Sequence, residues 1–302
     1  MRQPAPLARM LTRAALRASF KLPSLLPLPL PLMRSLLDRA AGIFQPRADV
    51  LIEQTTLGGL PVERITPPGQ PKRVLLHFHG GAFFAGSARS HRALGSELAA
   101  RGQAVVYLLD YRRAPEHPYP AALEDGLQAH RALLAQGWSP CQIVLGGDSG
   151  GCALILALAV ALREQGQTLP AGLVMISPYL DLTLSLPSVT ANARRDPMIT
   201  ALSLRRGGDA WRRDIPADDP RVSPLFADLR GLPPVLVQAG GDEILLDDAL
   251  GFSDRARAAG VKVRSHVYPG MWHNFQMFNA LIPTAGEALD EIGLFVRSLK
   301  TA

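Results

Sequence analysis

The stretch Ile143-Val-Leu-Gly-Gly-Asp-Ser-Gly-Gly-Cys-Ala-Leu-Ile-Leu-Ala-Leu-Ala-Val-Ala-Leu162 decides the fold. Its first three residues form the short apolar run of a strand buried on both faces. Residues 151–165 are long and apolar enough for a buried helix. Between them, Gly147-Asp-Ser-Gly-Gly151 reads G-x-S-x-G. The pattern alone is common, and Ser149 could simply cap the helix that follows. Between a strand and a helix, however, it is the tight turn that lifts a serine nucleophile to the edge of a sheet. Glycines are needed there because a Cβ on either flank would strike neighbouring backbone.

Working outward, further short apolar runs occur at Val74–Phe78, Ala104–Leu109, Leu173–Ile176 and Val235–Ala239, with a more polar one at Val261–Tyr268. Helical stretches fall at about 90–100, 121–136, 247–259 and 284–299. This alternation predicts an α/β fold with a mostly parallel, doubly wound sheet flanked by helices, its core in residues 48–182 and 231–302. Residues 183–230, rich in Arg, Asp and Pro, hold no strand-like run. An insertion at a strand's C-terminal end lies where open α/β sheets bind ligands, so a cap or lid is expected. Ahead of the core, residues 7–20 read as a helix with Leu7, Met10, Leu11, Ala14 and Ala18 on one face and Arg9, Arg13 and Arg17 on another. A rigid, extended Leu-Pro run (22–32) and a second helix (33–43) follow.

The composition is that of a globular chain: 302 residues, 47% hydrophobic and 19% charged. The net charge of +6 is uneven. Residues 1–47 carry eight Arg or Lys against the single acid Asp38, so the remainder is electrically neutral to within one charge. A basic surface spread over the whole fold is absent, which argues against a nucleic-acid partner. Cys141 and Cys152 cannot make a disulfide framework, so a reducing compartment, the cytoplasm, is expected. Gly150–Leu162 is too short to span a bilayer, Leu22–Met33 is broken by prolines, and Arg9, Arg13 and Arg17 interrupt any secretory leader.

A serine hydroxyl is a poor nucleophile until a base takes its proton. The base should lie late in the chain, past the last strand, where Tyr268-Pro-Gly-Met-Trp-His-Asn-Phe275 supplies His273; His266 falls inside the strand. An acid should stand between them. Asp242 follows Val235–Ala239 through Gly240-Gly241, whereas Asp247 and Asp248 fit the first turn of the next helix, with Asp247 the alternative acid. The oxyanion needs preorganised N–H donors. Gly80 and Gly81 of His79-Gly-Gly-Ala82, just past a strand, and Gly150 are the candidates. His77 and His79 share a strand face, but no third ligand has metal-site spacing, and no metal is expected.

Together these blocks make the resemblance specific. His79–Ala82, Asp110-Tyr-Arg-Arg-Ala-Pro-Glu-His-Pro-Tyr-Pro-Ala-Ala-Leu123, Gly147–Gly151, Gly241-Asp-Glu-Ile-Leu-Leu-Asp-Asp248 and Met271-Trp-His273 resemble the bacterial hormone-sensitive-lipase-like carboxylesterases of the α/β-hydrolase fold, from about residue 48 onward. The resemblance implies a serine carboxylic-ester hydrolase acting on short- to medium-chain acyl esters through an acyl-enzyme, without a cofactor. The implied triad is Ser149, Asp242 and His273, with Gly80, Gly81 and Gly150 as the oxyanion hole. His79, Asp148 and Glu116 would support the oxyanion loop and the elbow, or be ordinary turn residues. Residues 1–47 and 183–230 would together form the cap. The chain departs from the family at Ala82, where a third glycine is usual, at Gly150, where alanine is usual, and at Arg113, where leucine is usual. Two other functions use the same residues: a non-catalytic small-molecule-binding relative, and a lactonase or natural-product deacetylase. A peripheral membrane contact through the N-terminal basic helix and a homodimer are compatible with the sequence.

Overall fold

The computed structural model describes residues 6–26 and 28–300. Arg2, Pro27 and the rest of residues 1–5 in the N-terminal region lie outside them. Eight strands form one sheet in the order β1-β2-β4-β3-β5-β6-β7-β8. They are β1 (Leu51–Leu57), β2 (Leu60–Thr66), β3 (Val74–Phe78), β4 (Val105–Leu109), β5 (Ile143–Asp148), β6 (Gly172–Ile176), β7 (Val235–Gly240) and β8 (Val263–Tyr268). From β4 to β8 every pairing is parallel, whereas β1 pairs with β2, and β2 with β4, antiparallel. The helices are α1 (Pro6–Leu16), α2 (Leu30–Ala41), α3 (Arg92–Gly102), α4 (Ala121–Ala135), α5 (Gly150–Glu164), α6 (Ser188–Ala191), α7 (Ala201–Arg212), α8 (Leu246–Ala258) and α9 (Pro283–Ser298).

The all-apolar strands are buried because the sheet has a core on each side. Leu75, Val106, Val144, Val174 and Leu236 pack with Leu94 and Leu98 of α3 and Leu289, Ile292 and Val296 of α9. Their neighbours Leu76, Leu145 and Val237 point the other way, into a larger core with Leu133 of α4, Leu154 and Leu158 of α5 and Phe252 of α8. The period of two thus divides each strand between two apolar layers, the pattern expected of parallel sheets. The expected strands and helices of the core are present to within a few residues at their ends.

Three features differ from expectation. The β1–β2 hairpin was not anticipated, because its strands mix Glu, Gln, Thr and Arg with apolar residues. Its local signal is the pair Gly58-Gly59, both at positive φ, which is hairpin-turn chemistry. The Leu-Pro run is not one extended rod: Pro23–Leu25 make a 3₁₀ turn, and α2 begins at Leu30 with Pro31 in its first turn, where proline is tolerated. Finally, α1 is turned over. Leu7, Met10 and Leu11 are 57–61% exposed, while Leu16 is buried against Tyr268, Met271 and Trp272. Its basic side chains reach into the protein instead. Residues 183–230 contain α6, α7 and a 3₁₀ turn at Pro224–Phe226.

Candidate active site

The loops after β3, β5, β7 and β8 all leave the C-terminal edge of the sheet, so chain order alone brings four sequence blocks together. At the β5–α5 junction Ser149 has φ 51° and ψ −122°, a strained conformation for a residue with a Cβ. The turn is held by the Ser149 N–H donating to Ile176 O and by the Tyr179 N–H donating to Ser149 O. A Cβ at Gly151 would lie 1.9 Å from Phe78 O, and one at Gly147 would lie 2.6 Å from the Gly151 carbonyl carbon. Both glycines are therefore sterically required. At Gly150 a methyl group would stand 3.3 Å from Phe83 Cε1, so glycine here leaves room for the Phe83 ring.

His273 and Ser149 line the same cavity, of about 470 Å³. His273 is buried, and its Nδ1 lies 2.9 Å from Glu243 Oε2. The other Glu243 oxygen accepts the Gly240 N–H at 2.7 Å, and the side chain is wholly buried. Burial alone would lower the His273 pKa. The hydrogen bond and charge of Glu243, with the charges of Asp196 and Asp148, outweigh it and raise the pKa above the ordinary histidine value. The sequence reading placed Asp242 in this position, and the geometry corrects it. The Asp242 carboxylate turns outward and pairs with Arg13 Nη1 at 2.8 Å. The two residues are adjacent, so their side chains leave the loop in different directions; the Gly240–Glu243 turn aims the second inward. Asp247 is not the acid either, because it accepts the Ser188 N–H, and Asp248 accepts those of Leu180 and Asp181. His266 lies in β8, stacked on Tyr268 and beside Glu291.

The acid and base loops are joined through their backbones. The Gly241 N–H donates to Tyr268 O, and the Asp242 N–H donates to Met271 O, each at 2.9 Å. The inserted segment adds Asn192, whose amide donates to Glu243 O, and Asp196, which accepts the Ile244 N–H.

Asp148 is a hub. Its Oδ1 accepts His77 Nε2–H at 3.0 Å and the Gly80 N–H at 3.0 Å. Its Oδ2 accepts His91 Nε2–H at 3.2 Å and the Asn274 amide at 2.6 Å. Four donors thus fill a fully buried carboxylate. Burial would raise its pKa, but the charge of His91 and the hydrogen bonds from both histidines hold it well below the usual carboxylate range. The same contact raises the His91 pKa against the effect of burial. The expectation that Asp148 supports the site therefore has a geometric form: it ties the oxyanion loop to the residue after His273.

The Gly80 N–H, committed to Asp148, is not available to a substrate, which corrects its assignment as an oxyanion donor. The N–H groups of Gly81, Ala82 and Gly150 have no protein acceptor among the described residues, and all three residues line the cavity or border Ser149. Gly81, Ala82 and Phe83 all have positive φ (119°, 48° and 68°), which turns the loop back above the serine. Tyr111 OH donates to His79 O, and the His79 ring stacks on Tyr111 at 4.2 Å. Arg113, unexplained by sequence, donates to Gly86 O and closes the end of this loop. Glu116 acts at one remove. It pairs with Arg34 of α2 at 2.8 Å, and Arg34 donates to Phe84 O and Ala114 O. Asn274, His91 and Glu243 were missed by the sequence reading. For Asn274 a signal exists, since asparagine tolerates the left-handed backbone (φ 52°) that follows the histidine.

A family model described as alpha/beta hydrolase fold matches residues 75–277. An esterase of Acinetobacter venetianus is 45% identical over 95% of both chains, and an acetyl-hydrolase of Streptomyces hygroscopicus is 38% identical over 86% of this chain and 87% of its own. A crystallised esterase from the bacterial hormone-sensitive lipase family superposes with a TM-score of 0.90 at 38% identity, covering 97% of this chain and 96% of that one. The chain belongs to the α/β-hydrolase fold family, and within it to the hormone-sensitive-lipase-like carboxylesterases. It is a carboxylic-ester hydrolase. No helix among the described residues is long and apolar enough to cross a membrane.

Proposed function

We propose that the chain hydrolyses neutral, short- to medium-chain acyl esters through an acyl-enzyme on Ser149, with His273 as base and Glu243 as the acid that orients it. The observation that carries this reading is the buried Glu243–His273 contact in the cavity that holds the strained serine. His273 takes the Ser149 hydroxyl proton as Oγ attacks the ester carbonyl. The N–H groups of Gly81, Ala82 and Gly150 meet the oxyanion, and the last of these sits at the positive end of α5. His273 then returns the proton to the leaving alcohol, and water repeats the sequence to release the acid. Glu243 holds Nδ1–H and so leaves Nε2 unprotonated for the serine.

The substrate class follows from the walls. The cavity lining includes Phe20, Met33, Leu37, Phe44, Met277 and Phe278, and no Asp, Glu, Lys or Arg among the described residues. An ester that must shed water into such a cavity does so at least cost when uncharged. In this reading residues 1–47 and 183–230 act as the cap, since both lend side chains to that wall. The Streptomyces relative's name favours acetyl esters as a second reading, which acyl-chain selectivity distinguishes. Of the basic side chains offered to anionic lipid by the sequence, Arg13 is committed to Asp242 and Arg17 to Arg194 O, so a peripheral membrane contact would use Leu7, Met10 and Leu11. The test is hydrolysis of p-nitrophenyl esters from acetate to dodecanoate by the native protein and Ser149→Ala. Activity peaking in the short to medium range and lost in the variant is the expected result. A variant that still turns over would overturn the mechanism.

A further inference from the structure

Three basic side chains of the N-terminal segment converge on one place in the fold. Arg13, Arg17 and Lys21, spaced four apart, donate in reverse order to consecutive carbonyls of the inserted segment: Arg13 to Arg195 O, Arg17 to Arg194 O and Lys21 to Ala193 O. These carbonyls follow α6 and would otherwise depend on water. Arg17 and Lys21 do no more than fasten the two segments together. Arg13 does more. Its guanidinium also binds Asp242 Oδ2 at 2.8 Å and Gly270 O at 3.3 Å, and lies 5.9 Å from the centre of the Trp272 ring.

Asp242 immediately precedes Glu243, Gly270 is three residues before His273, and Trp272 is next to it. Resting on the assignment of Glu243 and His273 above, we propose that Arg13 is a positioning residue for the reaction. One planar fork clamps the acid loop, the base loop and the inserted segment in register, so that the carboxylate–imidazole couple keeps its geometry. The side chain is 17% exposed and Asp242 21%, so the pair is partly shielded from water. A lysine could supply the charge but could not donate to three acceptors in one plane. The site is thus completed from the far end of the chain: displacing α1 removes a strut from two catalytic loops.

Steady-state kinetics of Arg13→Ala, Arg13→Lys, Arg17→Ala, Asp242→Asn and the Arg13→Ala/Asp242→Asn double variant test this. Misplacement of catalytic groups by about 1 Å costs up to ~100-fold, so Arg13→Ala should lower kcat by about 10- to 100-fold with a smaller change in KM. Arg13→Lys should recover part of the loss, and the double variant should be no worse than Arg13→Ala, because both changes break the same clamp. Arg17→Ala, which loosens only the fastening between segments, should leave kcat within about twofold. An Arg13→Ala enzyme with native kcat, an equal loss in Arg17→Ala, or multiplicative losses in the double variant would each overturn the proposal. Residual turnover in Ser149→Ala would instead overturn the mechanism on which it rests.

Discussion

Helices α5 and α1 are both rich in apolar residues, yet they use them in opposite ways. In α5 eleven of fifteen residues are buried, and the helix runs through the larger core directly behind Ser149. In α1 the face that periodicity marks as apolar looks outward. Nine of the fifteen large hydrophobic side chains exposed among the described residues fall between positions 7 and 43. A helix apolar all round has no choice of orientation. An amphipathic one has two, and the chemistry of its neighbours chooses. For the segment from α1 to Lys21 the neighbours are a carboxylate and a row of bare carbonyls, which take Arg13, Arg17 and Lys21, while Leu16 and Phe20 pack inward.

The largest effect expected from breaking this contrast lies on the α5 side. Gly151→Ala forces a Cβ into the Phe78 carbonyl, and a backbone clash that cannot relax should cost more than about 3 kcal/mol. The check is denaturant unfolding, with failure to fold an acceptable result and native stability a contradiction. A smaller effect separates the two faces of α1. Leu16→Ala should destabilise by about 2–3 kcal/mol, as truncation of a buried leucine does, and Leu11→Ser by less than about 0.5 kcal/mol. Equal losses in thermal unfolding would mean that α1 is not inverted.

The same distinction explains what could be read from the sequence. The elbow, the central strands and His273 were legible because strand–turn–helix steric demands admit few alternatives: Gly147 and Gly151 can be nothing else. Spacing alone points to Asp242 because it locates a loop and not the direction in which each of two adjacent carboxylates leaves it. Sequence alone marks Gly80 as a donor because a glycine signals an unobstructed N–H, while the carboxylate that consumes it, on Asp148, is 68 residues away. The hairpin β1–β2 escaped because its strands are too polar to read as buried runs: β1, at the edge of the sheet, is mostly exposed.

The pH dependence carries the same information. The His273 pKa lies above the ordinary value because Glu243, first through its hydrogen bond and then its charge, together with the charges of Asp196 and Asp148, outweighs burial. Base catalysis needs the neutral imidazole, so activity should fall as pH drops through that raised value. Removing the Glu243 charge leaves burial dominant and should move this acid limb to lower pH.

Side-by-side kinetics of Glu243→Gln and Asp242→Asn on one p-nitrophenyl ester test the account most directly. Glu243→Gln should lower kcat by about 10²- to 10⁴-fold and shift the acid limb downward, while Asp242→Asn should stay within about tenfold of the native enzyme with its limb nearly in place. The reverse order, with Asp242→Asn the crippled enzyme, would contradict it.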